Sequence, residues 1–392
     1  MKKFLLCGFA ALLLVAFSVP AMADLKVGGI VFTDFYYYSK DKENKGDDDF
    51  GKTKIEIPSM TRLNARWTNE DNVGMYIELG LGGAGPTASG EYVSNPNQTN
   101  LRWAYGWWDV NPGFQVLAGM STTPFAPLAP SQLVGTDSGG LHIIGFGYGN
   151  QSTLRTVQLR GTIHFSDNVR LAIAMVDADT SANTGLSIMP AEPGKVVDAD
   201  SKIPRFDLGM PIYLGALKIY PSFLWQKETF DNVASGYDDE ITSWAGSLGF
   251  ILGVGPLEIN VEGVYGSNMG NTSVTLGFGS AGNVPDHTGA KLNGTEIDDS
   301  KFAQGFIDLG FKLGVAEPHL IYGIQNAQGD DLPYDYTSQM YGVSIPIDLA
   351  KGFRLRPEFM WYDKGDENTD SSGNKVNNGT EQIYGVQFQI TF

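Results

Sequence analysis

The sequence predicts an all-β fold, a 16-stranded antiparallel transmembrane β-barrel, and three observations carry that expectation. First, sixteen segments alternate in side-chain type, as strands do when neighbouring side chains point to opposite faces, and each approaches or exceeds the roughly nine residues that a tilted membrane strand needs. They cover residues 24–38, 52–68, 73–81, 100–109, 114–121, 153–165, 168–177, 203–211, 214–228, 240–253, 256–269, 301–314, 317–327, 337–347, 352–364 and 381–392. Second, the connectors alternate long and short from first to last, which an up-and-down barrel does when both termini lie at the short-turn end. Third, the final strand runs to the last residue: Tyr384, Val386, Phe388, Ile390 and Phe392 share one face, and Gly385, Gln387, Gln389 and Thr391 share the other.

Taken in order, the chain begins with Lys2 and Lys3, an apolar run from Phe4 to Phe17, then Pro20 and Ala21-Met22-Ala23 before Asp24. A basic start, a short apolar core and small residues flanking the cut describe a secretory signal peptide over residues 1–23, with the barrel domain spanning 24–392. Cys7 is the only cysteine, so the mature chain carries no disulfide and no Cys-based nucleophile or metal site. In the second segment Ile55, Ile57, Leu63, Ala65 and Trp67 share one face, against Lys54, Glu56, Arg62, Asn64 and Arg66 on the other. The eleventh opposes Leu257, Ile259, Val261 and Tyr265 to Glu258, Asn260 and Glu262. An ion facing hydrocarbon costs roughly 2–4 kcal/mol at the bilayer midplane, so the charged faces are expected to line a wet lumen. Trp67, Trp103, Trp107, Trp225, Trp244, Trp361 and Tyr384 stand near strand ends, where aromatic girdles meet the headgroups. The segments from 73 to 121 are shorter than those from 214 to 269, which predicts a wall that is lower on one side.

The eight long connectors are 39–51, 82–99, 122–152, 178–202, 229–239, 270–300, 328–336 and 365–380. The third, 122–152, holds Pro124, Pro127 and Pro130, many glycines, the apolar Phe125, Leu128, Leu133, Val134, Leu141, Ile143, Ile144 and Phe146, and a single charge, Asp137. So apolar a segment is poorly suited to water, and packing inside the barrel explains it better than exposure. Acidic residues crowd the other long loops: Asp47 to Asp49, Asp198 and Asp200, Asp238 to Glu240, Asp298 and Asp299, Asp330 and Asp331, and Asp366, Glu367 and Asp370. Such a ring concentrates cations and offers oxygen ligands to Ca²⁺ or Mg²⁺, although no stretch has EF-hand spacing. With 44 acidic against 27 basic residues and a formal charge of −17, the chain lacks the clustered positive charge that nucleic-acid binding needs.

The signal peptide, the sixteen segments with eight alternating loops, and the terminal aromatic Phe392 together resemble the Gram-negative outer-membrane general diffusion porins, across the whole mature chain. The resemblance implies bacterial outer-membrane localisation, short periplasmic turns and long extracellular loops. It also implies a homotrimer set in lipid and lipopolysaccharide, and passive diffusion of small hydrophilic solutes and ions. It makes Tyr384, Phe388 and Phe392 a signal read by the barrel-assembly machinery. It also implies a basic wall facing an in-folded acidic third loop, for which Arg62, Arg66, Arg102, Arg354 and Arg356 are candidates opposite Asp137; a solvated lumen arginine paired with Glu56, Glu78 or Glu358 is the plainer account. The acidic loops suggest a weak cation preference. A substrate-selective pore, possibly for anions, and a non-conducting adhesin or structural barrel are the alternatives.

Motifs for other chemistry are thin. Residues 277–282 match GxGxxG but sit in a long loop with no following helix, which a dinucleotide site requires. His142, His164, His287 and His319 are far apart, and His164 beside Ser166 is the nearest approach to a hydrolytic pair. No catalytic residues and no cofactor are expected.

Overall fold

The computed structural model describes residues 24–41, 50–58, 60–86, 92–131, 149, 155–177, 190–200, 202–272, 289–329, 336–363, 365–369, 375–377 and 379–392. The signal segment 1–23, Asp137 and residues 277–282 lie outside them.

The wall is a closed 16-strand antiparallel barrel. Its strands are β1 (Asp24–Asp41), β2 (Phe50–Glu56 and Arg62–Thr68), β3 (Val73–Pro86), β4 (Tyr92–Asn111), β5 (Phe114–Thr122), β6 (Arg155–Ser166), β7 (Val169–Val176) and β8 (Arg205–Gly209 and Ile212–Leu214). They continue as β9 (Leu217–Asp231), β10 (Glu240–Val254), β11 (Leu257–Ser267), β12 (Ser300–Phe311), β13 (His319–Gly329), β14 (Tyr336–Ser344 and Ile347–Ala350), β15 (Phe353–Asp363) and β16 (Thr380–Thr391). Each pairs with the next, and β16 closes on β1 over a register running from Ile30 opposite Thr391 to Asp41 opposite Thr380. Among the described residues the only other regular elements are a three-residue strand beside β9, two short hairpins and a 3₁₀ turn at Met269–Asn271.

All sixteen expected strands are present, and the two faces sort as the alternation predicts. Outward positions carry exposed apolar side chains: Leu159, Ile173, Met175, Phe223, Leu248, Tyr265, Leu320, Phe359 and Phe388 are each more than a third exposed. A band of that extent around the whole wall far exceeds what the surface of a water-soluble monomer presents. Buried polar side chains point the other way, among them Asp34, Gln158, Gln226, Glu262, Asp308 and Gln387.

Proline accounts for the breaks. Pro58 has no N–H for the ladder, and β2 is interrupted there. Thr61 patches the gap, its Oγ1 accepting from the Phe32 N–H at 3.0 Å and donating back to the Phe32 carbonyl at 3.3 Å. Pro211 and Pro346 split β8 and β14 in the same way. The β8–β9 turn therefore falls at Gly215 and Ala216, beyond the expected Ile212–Tyr213, because Ile212 to Leu214 still pair with β9.

The expected low wall is corrected at β3 and β4, which have 14 and 20 residues against 15 each for β9 and β10. Residues 82–86 and 92–99, rich in Gly, Ser and Asn, extend that hairpin through continued pairing from Gly83 opposite Asn95 to Pro86 opposite Tyr92. The short strands are β5, of 9 residues and short as expected, β7, of 8 residues, and the split β8.

Candidate channel lumen and its constriction

The described part of the third long connector, residues 123–131, runs along the inner wall after β5 ends. Phe125 and Ala126 are buried in one cluster with Leu224, Ala245, Val264, Met269, Phe302 and Ala327, side chains of β9 to β13 and the turn after β11. Burying a side chain the size of Phe125 contributes about 1.5–3 kcal/mol. The Ala126 N–H donates to Ser222 Oγ at 3.0 Å. Asn260 Nδ2 donates to the Ala129 carbonyl at 2.9 Å, and the Ser131 N–H donates to Asp308 Oδ2 at 2.7 Å. Arg356 Nη1 donates to Ser131 Oγ at 3.2 Å. Two glycines make room for the seat: a Cβ on Gly209 would stand 2.5 Å from the Pro124 carbonyl oxygen, and one on Gly249 would stand 2.7 Å from Leu128 Cδ1.

These contacts lie along β8 to β12 and β15. Eight strands around the ring from β10 and β11 stand β2 and β3, and the basic wall is there. Arg62, Arg66 and Arg102 all face inward, as expected. Arg62 Nε lies 3.3 Å from Glu78 Oε2, and Arg102 Nε lies 2.9 Å from Glu78 Oε1, so one carboxylate is shared by two guanidinium groups. The Tyr76 hydroxyl donates to Glu78 Oε2 at 2.8 Å. Arg66 stacks over the Trp107 ring, 4.7 Å from its centroid. Arg160 on β6 extends the wall, its Nη1 donating to the Thr122 carbonyl at 3.3 Å where the loop departs.

Arg354 and Arg356 are not part of that wall. Arg356 is 6% exposed and fastens the loop through Ser131. Arg354, near the short-turn end, makes a two-pronged pair with Asp348, Nε to Oδ1 at 2.6 Å and Nη2 to Oδ2 at 2.9 Å. Tyr384, Phe388 and Phe392 face outward and are 47%, 39% and 66% exposed. Of the expected girdle residues, Trp225 and Trp244 pair outward with Phe206 and Tyr265, and Trp361 with Tyr341.

Trp103 and Trp107 are a correction. A bulge places Glu78 opposite Trp103 while Leu79 pairs with Leu101, which leaves Arg102 extra in the ladder. One extra residue reverses the parity of everything beyond it. Trp103, Tyr105 and Trp107 therefore turn inward beside Tyr76, with successive ring centroids about 6 Å apart.

Several inward arrangements escape a reading of the sequence. Glu78 is expected as a partner for a lumen arginine, but its sharing between Arg62 and Arg102 depends on two cross-strand neighbours. Arg205 and Asp207 are another, a fully buried pair on β8 joined Nε to Oδ1 at 2.9 Å. Asp308 and His319 are a third, with Nδ1 and Oδ1 2.7 Å apart beneath the loop. His164 and Ser166 sit at the β6–β7 turn, where Ser166 Oγ accepts from the Asn168 N–H at 3.2 Å. Among the described residues no group of three or more His, Cys, Asp or Glu side chains is placed to hold a metal ion.

A closed ring of sixteen strands, apolar outside and polar inside, with its third loop laid against the inner wall, defines a porin-type barrel fold. Comparison with solved structures gives the same fold. The outer membrane channel DcaP of Acinetobacter baumannii superposes with a TM-score of 0.67 at 18% identity, over 95% of this chain and 99% of that one. An anion-selective porin from Comamonas acidovorans gives 0.59 at 13% identity, over 94% and 100%. OmpT of Vibrio cholerae, in a structure described as a trimer form, gives 0.55 at 12% identity, over 95% and 100%. At such identities the likeness is one of fold. No family model matches the sequence, and no curated protein matches it.

Proposed function

We propose that this chain is a channel of the bacterial outer membrane, through which small hydrophilic solutes and ions diffuse passively. The observation that carries the reading is the opposition of residues 123–131, seated on β8 to β12, to the arginine wall of β2 to β4. Together they narrow a lumen that sixteen strands otherwise leave wide and aqueous. The apolar outer band supports a lipid setting with lipopolysaccharide at the loop end. Outward Tyr384, Phe388 and Phe392 support recognition by the barrel-assembly machinery, and a homotrimer is part of the same reading. No step of catalysis enters it.

A weak cation preference follows from the acidic loops, Asp238 and Asp298 among them. The wall favours a second reading. Arg62 and Arg102 share the carboxylate Glu78, and Arg66 and Arg160 stand on the same stretch of wall, so that wall carries excess positive charge and anions are preferred beside it. Reconstitution in planar bilayers under a salt gradient separates these: the sign of the reversal potential gives the preferred ion. A folded barrel that carries no ionic current overturns the channel and leaves a structural or adhesive barrel.

A further inference from the structure

Resting on the channel reading, we propose that the inward aromatic ladder Tyr76–Trp103–Tyr105–Trp107 is a stacking track for uncharged sugar rings. Trp103 to Trp107 follow every second position of β4, a run of about 13 Å along the strand. The ring centroids of Trp103 and Tyr105 lie 5.9 Å apart, and those of Tyr105 and Trp107 6.0 Å. Tyr76 joins from β3 at 6.2 Å from Trp103 and 5.6 Å from Tyr105. The track starts beside Arg102 at the narrow level and ends near the turn after β4. Trp103, Tyr105 and Tyr76 are half-buried, with part of each ring open to the lumen.

Other inward apolar side chains are closed into clusters, such as Tyr36, Met340, Met360 and Tyr362, and Trp107 is buried under Arg66. Tyr76, Trp103 and Tyr105 remain half-buried, and adjacent rings left facing water are costly unless something covers them. The polar neighbours indicate what does. Arg62 and Arg102 are paired to Glu78, Arg66 lies on Trp107, and Arg160 is bonded to Thr122. These guanidinium groups are engaged, yet the Arg–Glu–Arg row presents donors and acceptors side by side at one edge of the rings. A pyranose has a C–H face to stack and a rim of hydroxyls that both give and take hydrogen bonds, so it fits a ring surface flanked by such a row. A charged solute would have to displace an existing partner.

The test is single-channel current through the refolded mature protein with maltose added to one side, and with mannitol and benzoate in parallel. Maltose is expected to reduce the current saturably, mannitol to act only by viscosity, and benzoate not to saturate. Trp103→Ala and Tyr105→Ala are each expected to weaken maltose block about fivefold, the size of one ring stack, while Tyr105→Phe keeps it. Current without saturable maltose block, equal block by mannitol, saturation by benzoate alone, or block unchanged in both alanine variants overturns the track and leaves the channel standing. Absence of any current removes the channel and the track with it.

Discussion

Replacing Glu78 with Gln removes the one carboxylate that two guanidinium groups share while keeping side-chain shape. In the native wall Arg62 and Arg102 contribute two positive charges against one negative, at 3.3 and 2.9 Å from the Glu78 oxygens. The substitution raises the local sum by one unit. For a hydrated ion passing about 6 Å away, a unit charge in water is worth about 0.7 kcal/mol, and screening at physiological ionic strength brings that to about 0.3 kcal/mol. That is about a 1.7-fold enrichment of anions and an equal depletion of cations, so the anion-to-cation permeability ratio should rise about threefold. Arg62→Ala should move the ratio by a similar factor toward cations. The double variant restores the original sum and should return near the native value. Reversal potentials in planar bilayers under a salt gradient measure all three. If Glu78→Gln conducts normally and its reversal potential equals that of the native channel, Glu78 does not lie on the ion path and the constriction is misplaced.

Three further outcomes are expected. Leu248→Arg puts a charge on the lipid face at the middle of β10, and should lower barrel stability by about 2–4 kcal/mol in a lipid refolding titration; a titration equal to that of the native barrel would mean that this face does not meet lipid. Phe125→Ala empties the loop's main anchor and should cost about 3–5 kcal/mol of docking energy, seen as noisier and larger single-channel openings; quiet, native-sized openings would mean that the loop is held without it. Removal of Phe392 should slow assembly in cells, measured as unassembled chain in a heat-modifiability gel, with little effect on refolding of the purified protein.

The architecture was legible because the lipid boundary forces a strict alternation along each strand, and the alternating connector lengths fix which end is which. The loop's entry was legible for a related reason: Phe125 and Leu128 in a segment with one charge need somewhere dry to go. What failed did so locally. Trp103 and Trp107 looked like girdle residues because a steady period of two was assumed through Arg102, and a bulge leaves no mark in side-chain type. The hairpin of β3 and β4 looked short because Gly, Ser and Asn weaken the pattern without ending the hydrogen-bonded ladder. Glu78 was visible as an inward acid and as one possible partner of Arg62, yet its sharing between Arg62 and Arg102 is a property of register across three strands. Arg354 and Arg356 share an inward face, as expected, but serve the short-turn rim and the loop anchor.

Residues 123–131 are tied to strands on more than one side of the cylinder, at Ser222 on β9, Asn260 on β11, Asp308 on β12 and Arg356 on β15. A segment fixed that way acts as an internal cross-brace. Flattening the cylinder would lengthen some of those ties and shorten others, so the ovality of the wall and the width of the aperture are mechanically one variable. Lateral pressure from the bilayer is then felt at the eyelet itself, and a lipid that squeezes the wall should alter throughput without touching any residue that lines it.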